Sequence, residues 1–245
     1  MAPEAPRSSA DALRLTPHGI RAVFFDAGAT LLYPRVPVEE IYAREFEADG
    51  ARFSPEELSR ALTRAWEEVH AEKTANRYGG VRGEPEFWRT FLKCVRGFLD
   101  GGDVSVEAFE RLASHFRDPA SWAVYDDVLP TVNTLAGREL LLAVVSNWDS
   151  HLPALLEGLG LARRFRTVSV SAIEETGKPQ SEIFLRTCAR LSVAPAETLH
   201  VGDSLAEDYE GARRAGLQAL LLDRADRYPH FEDRIRSLRE LPLRF

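Results

Sequence analysis

The chain has 245 residues, 44% of them hydrophobic and 28% charged, an ordinary globular balance that can bury a core without cross-links. With 31 basic and 38 acidic residues the net charge is −7, so bulk electrostatics argue for neither nucleic acid nor an anionic membrane as partner. The two cysteines, Cys94 and Cys188, are far apart and form no CxxC, so neither a disulfide framework nor a zinc site is expected.

Residues 1–19 are rich in Ala, Pro and Ser and lack the apolar middle of a secretory signal, so they read as a loosely ordered lead-in. No apolar run reaches the roughly 18 residues of a membrane helix. With widely spaced thiols, this fits a cytoplasmic protein. A first strand is expected over 21–26. Gly28, Ala29 and Thr30 break the pattern, and Pro34 and Pro37 force an irregular exit. From 38 to about 116 apolar residues recur at helical spacing, as in Ile41 and Phe46, then Leu58, Leu62 and Trp66. Ser54-Pro55-Glu56-Glu57 is a helix start. A second follows Glu84-Pro85 and carries Phe87, Trp88, Phe91, Leu92 and Val95, and a third covers 105–115. No strand is expected here.

Strand and helix then alternate: helix 129–135, strand 140–145, helix 152–159, strand 167–171, helix 181–191, strand 198–201, helix 203–215 and strand 218–222. The tail over 228–238 reads as helical. The alternation predicts an α/β fold, a parallel sheet sandwiched by helices, with a helical bundle inserted after the first strand.

The chemistry gathers where strands end. Apolar runs lead to Asp26, to Ser146 and to Gly202-Asp203, and ligands bind outside the carboxyl ends of strands in open parallel sheets. Asp26 is a candidate nucleophile that would form an acyl phosphate. Alone, an aspartate there is more often a turn or cap residue. Ser146, with Asn147 after it, would hold a phosphate oxygen, cap the next helix, or do both. Thr30 offers a second hydroxyl. Lys178 projects from a turn fixed by Gly177 and Pro179, where an ammonium would neutralise Asp26 and phosphoryl oxygens. Asp203 and Asp208 would serve a hard divalent cation such as Mg²⁺, Asp203 directly and Asp208 through water or by orienting Lys178. A small phosphorylated substrate follows from this set.

Together these segments resemble the haloacid dehalogenase (HAD)-like hydrolase superfamily, in its phosphatase-like branch with a helical cap. Phe24-Phe25-Asp26-Ala27-Gly28-Ala29-Thr30-Leu31 is similar to its first motif, Val145-Ser146-Asn147 to its second and Gly177-Lys178-Pro179 to its third. Gly202-Asp203 through Asp208 and on to Gly216 is similar to the fourth. Tyr78-Gly79, Phe87-Trp88 and Val145-Ser146-Asn147-Trp148-Asp149 resemble the subgroup of haloacid dehalogenase-like hydrolase domain-containing protein 3. The resemblance implies a Rossmann-like core over 20–34 and 118–245 and a cap over 35–117. It implies Asp26 as nucleophile, Ser146 and Lys178 on the phosphoryl group, and a Mg²⁺ site of Asp26, the Gly28 carbonyl, Asp203 and Asp208.

One position departs from the pattern. Most phosphatases of that superfamily carry a second aspartate, the general acid and base, where this chain has Gly28. Losing a positioned acid–base costs roughly 10²–10⁴-fold. Three outcomes follow: preference for good leaving groups, a substitute donor such as His151, or a catalytically weak phospho-ligand-binding protein. Metal-independent 2-haloacid dehalogenation is a further alternative, since it too uses an aspartate nucleophile without that acid.

Overall fold

The computed structural model describes residues 19–69 and 78–244, so the lead-in expected over 1–19 lies outside the described residues save for Gly19. Ala22–Phe25 (β1) is wholly buried. After the β1 loop come Leu32–Pro34 (β2) and the helices Val38–Ala48 (α1), Pro55–Val69 (α2), Glu84–Gly97 (α3) and Val106–Arg117 (α4). Then follow Trp122–Val124 (β3), Val128–Gly137 (α5), Leu141–Ser146 (β4), Leu152–Gly158 (α6), Thr167–Val170 (β5), Ser171–Glu174 (α7) and Ser181–Leu191 (α8). Thr198–Gly202 (β6), Glu210–Arg214 (α9), Gln218–Leu222 (β7) and Arg234–Ile235 (β8) complete the α-helices and strands among the described residues.

The main sheet runs β5-β4-β1-β6-β7-β8 with every pair parallel. β1 is central, with Phe25 level with Val144 of β4 and Val201 of β6. After β1 the chain builds outward through β4 and β5, then returns to lay β6, β7 and β8 on the other side. The strand order therefore switches at β1, which opens a crevice at its carboxyl end. Side chains of β1 alternate between the faces, as a strand's period of two requires. Val23 and Phe25 join a core with Val128, Val132 and Leu152, whereas Ala22 and Phe24 join one with Ile183, Phe184 and Ala212.

The helices α1–α4 have a separate apolar cluster built on Ile41, Phe46, Leu58, Phe91, Val95 and Leu112. Among the described residues from 38 to 117 there is no strand. Ser54 and Glu57 close a reciprocal cap at the start of α2: the Ser54 N–H donates to Glu57 Oε2 (2.9 Å) and the Glu57 N–H to Ser54 Oγ (3.2 Å). The chain leaves for these helices through β2 and returns through β3, which pair antiparallel with Leu32 opposite Val124.

Two expectations change. The tail over 228–238 is not helical: β8 extends the sheet and Leu238–Arg244 is a 3₁₀ helix. Turn chemistry wins there. Asp223 accepts from the N–H groups of Arg227 and Tyr228 (2.8 Å each) and from the Arg234 guanidinium (3.1 Å), which draws Ile235 alongside Leu222. The helix expected over 203–215 starts with a wider π turn, Leu205–Tyr209, before α9. Both cysteines are free, and no helix among the described residues is long and apolar enough to cross a membrane.

Candidate active site

The carboxyl ends of β1, β4 and β6 bring Asp26, Ser146 and Asp203 to one crevice, and the loop before α8 adds Lys178. Asp26 Oδ1 accepts from Ser146 Oγ (2.9 Å) and Lys178 Nζ (2.5 Å). Asp26 Oδ2 has no hydrogen-bond partner among the described residues. Lys178 also donates to Asp208 Oδ1, so a single buried ammonium bridges two carboxylates. Asp208 accepts in addition from the Ser204 N–H at Oδ2 (3.0 Å) and bonds His200 Nε2 at Oδ1 (2.9 Å). Asp208 thus orients Lys178. Asp203 is more open, and the Arg227 guanidinium approaches it at 3.9 Å.

Gly202 is required by the close approach of Asp208. A β-carbon at 202 would lie 2.2 Å from the Asp208 carboxyl carbon. The carboxylate folds back over the strand end because nothing projects from it there.

Asn147 acts on the lysine's main chain. Its Oδ1 accepts from the Lys178 N–H and its Nδ2 donates to the Lys178 carbonyl, both at 2.8 Å. Its Nδ2 also donates to Glu207 Oε2 (2.9 Å), which ties the Lys178 loop to the segment after β6. Thr30 does not join the cluster: its side chain is buried and its hydroxyl has no partner among the described residues. His151 makes no hydrogen bond to the cluster either; its N–H donates to Asp149 Oδ1 (3.0 Å) at the start of α6.

Several contributing residues have no clear mark in the sequence. His200 stands inside the apolar run of β6 and is fully buried; a titratable ring in such a strand needs a partner, and that is its one signal. Glu84, at the start of α3, accepts from Ser150 N–H (2.6 Å) and Oγ (2.8 Å), joining the helical block to the loop that follows Ser146. Arg224 fixes the loop after Asp26, donating to the Thr30 carbonyl (2.9 Å) while it grips both oxygens of Asp127 (2.8 and 2.9 Å). Removing Arg224 strands the buried Asp127 charge. Arg224→Ala should therefore cost about 3 kcal/mol in urea unfolding, and unchanged stability would contradict this network.

Burial pushes the Asp26 carboxyl up to about 7, despite the pull of Lys178. Burial, then Asp208, pushes Asp203 up to about 6. For Asp208 burial also acts upward, but Lys178 and His200 outweigh it and hold this carboxyl well below the usual range. Burial opposes the charge on Lys178, yet the facing Asp208 and Asp26 hold its ammonium above the usual value. Burial pulls His200 down, so the ring is neutral at pH 7.

One carboxylate oxygen each from Asp26, Asp203 and Asp208 lie within 4.8 Å of one another. Asp26 and Asp208 share one ammonium and Asp203 has the Arg227 guanidinium at 3.9 Å, in a site that burial makes hostile to negative charge. An all-oxygen donor set with excess negative charge fits a small hard divalent cation.

A family model described as haloacid dehalogenase-like hydrolase matches residues 20–216. Haloacid dehalogenase-like hydrolase domain-containing protein 3 of Danio rerio is 31% identical over 236 residues, 92% of this chain and 96% of the relative. Among solved structures, a HAD phosphatase from Thermococcus onnurineus is similar with TM-score 0.65 and 28% identity, over 91% of this chain and 96% of its own. A protein described as a dehalogenase is similar with TM-score 0.67 and 25% identity over the same shares of each chain.

Proposed function

Since the chain belongs to the haloacid dehalogenase-like hydrolase family, we propose that it hydrolyses a small phosphorylated molecule through an aspartyl-phosphate on Asp26. One observation carries this reading: Asp26, Asp203 and Asp208 converge around the buried Lys178 at the switch point of the sheet. A metal-independent dehalogenase needs no divalent cation, so three carboxylates with one oxygen each within 4.8 Å of the others favour the phosphatase reading. The helical block over 35–117 would act as the cap, with the Glu84–Ser150 contact joining it to the core loop.

In this mechanism Ser146 and Lys178 fix the rotamer of Asp26 through Oδ1, leaving Oδ2 to attack phosphorus. The new P–O bond forms as the bond to the leaving oxygen breaks, and that oxygen departs with the electron pair. Water then attacks the acyl phosphate, the bond to Asp26 breaks, and inorganic phosphate and a carboxylate result. Asn147 keeps the Lys178 loop in register throughout. Held by Asp26, Asp203, Asp208 and the Gly28 carbonyl, Mg²⁺ would neutralise charge on the phosphoryl oxygens.

The test is phosphate release from acetyl phosphate and p-nitrophenyl phosphate with and without Mg²⁺, beside chloride release from 2-chloropropionate. Phosphate released only with Mg²⁺ supports the reading, and metal-independent chloride release overturns it.

Stability gives a second test. Asp26 and Asp203 have folded values near 7 and 6 against an ordinary 3.8, so the fold retains protons that the unfolded chain releases. Without a cation these two groups cost stability as pH rises from about 4 to about 7. Asp208 acts oppositely: its contribution is present above the ordinary value and lost as pH falls through its depressed one. Mg²⁺ binds the deprotonated forms, so its Tm increment should be larger at about pH 8 than at about pH 5. Equal increments at both would contradict ligation by these carboxylates.

A further inference from the structure

A β-carbon at position 28 would lie 3.1 Å from Cζ3 of Trp148, with Cη2 and Cε3 at 3.9 and 4.0 Å. The six-membered ring of the indole thus rests on the main chain just past Asp26. Trp148 itself lies just past Ser146, whose hydroxyl bonds Asp26, so the two loops that form the site meet at this ring. The indole is backed by Trp122, with ring centroids 5.1 Å apart. Its main chain is held by α7: the Trp148 N–H donates to Ser171 Oγ (3.1 Å), and the Trp148 carbonyl accepts from Ser171 Oγ (3.2 Å) and the Ala172 N–H (3.3 Å). Trp148 packs partly on the main core, and both it and Gly28 are half-buried, so part of each residue remains exposed.

We propose that Trp148 is the specificity-determining wall of the site and that the substrate is an aryl phosphomonoester whose ring packs on the indole. This rests on the hydrolytic reading of Asp26. Position 28 has no side chain, and the adjoining wall is indole carbon with no proton to give. A phenolate departs without a proton, whereas an alkoxide needs one from a placed acid. As Asp26 forms its bond to phosphorus, the aryl oxygen leaves with the electron pair and takes a proton later from water. A flat apolar leaving group also gains from stacking on a rigid aromatic face.

The test is calorimetric titration, in the presence of Mg²⁺, of the unreactive analogues phenylphosphonate and methylphosphonate. Wild-type protein should bind phenylphosphonate about tenfold more tightly. Trp148→Ala should erase that preference and Trp148→Phe should keep most of it. Equal wild-type affinities, or a preference that survives Trp148→Ala, would overturn the assignment. In turnover, Trp148→Ala should lower the ratio of phenyl phosphate to acetyl phosphate kcat/KM about tenfold, whereas equal losses on both substrates would mark a merely structural role. Full turnover by Asp26→Asn with the phenyl preference intact would refute the nucleophile and leave Trp148 standing, so the two failures are distinguishable.

Discussion

Asp26→Asn should abolish phosphate release, by on the order of 10⁴-fold or more, and leave the fold intact. The amide has the same shape, and its oxygen still accepts from Ser146 and Lys178, the two donors that hold Oδ1. What is lost is a nucleophile able to form the acyl phosphate. The stability consequence separates this from trivial damage. Burial pushes the wild-type carboxyl to about 7, so above that pH its charge burdens the cation-free fold. The variant should match or exceed wild-type Tm at about pH 8 without Mg²⁺. Activity near wild type in the folded variant would remove Asp26 from the reaction.

Lys178→Met should have the largest effect on stability. The Lys178 side chain is 2% exposed and stands between Asp26 and Asp208, whose side chains are 10% and 1% exposed. Methionine keeps most of the apolar stem and removes the ammonium, leaving two buried carboxylates facing each other uncompensated. Breaking a buried ionic contact from one side costs about 3–5 kcal/mol. Activity should vanish as well, since nothing else among these residues neutralises the nucleophile's oxygen. The loss should be pH-dependent in a defined sense. Without Lys178 both carboxyls titrate higher, so the variant should regain stability as pH falls below about 7. Urea unfolding across that range reads the effect, and a deficit constant with pH would mean that lost packing, not charge, is responsible.

The sheet was legible where burial is complete. β1 and β4 are apolar runs, and β6 and β7 mostly so, because both faces are covered, and the ends of β1, β4 and β6 point to Asp26, Ser146 and Asp203. β2, β3 and β8 are two or three residues long, one ending in Pro34, too short for any period to show. Lys178 could be read because its Gly-Lys-Pro turn is local. The bond that Lys178 makes to Asp208, and the dependence of Asp208 on Gly202 and His200, come from tertiary approach. Thr30 reads as a site hydroxyl from its nearness in sequence to Asp26; its hydroxyl is buried and makes no hydrogen bond to the cluster. Gly28 is the clearest case. In the sequence it is a missing acid; in the structure its vacancy and the Trp148 ring form one feature. The β-carbon of an aspartate placed there would lie 3.1 Å from the Trp148 ring, so the indole, backed by Trp122, must give by a few tenths of an ångström.

The most direct measurement is chemical trapping. Protein mixed with acetyl phosphate and Mg²⁺, then reduced with borohydride, should yield homoserine at position 26 by peptide mass spectrometry, and Asp26→Asn should yield none. Phosphate release by wild-type protein with the modification at another residue, or at none, would contradict covalent catalysis by Asp26.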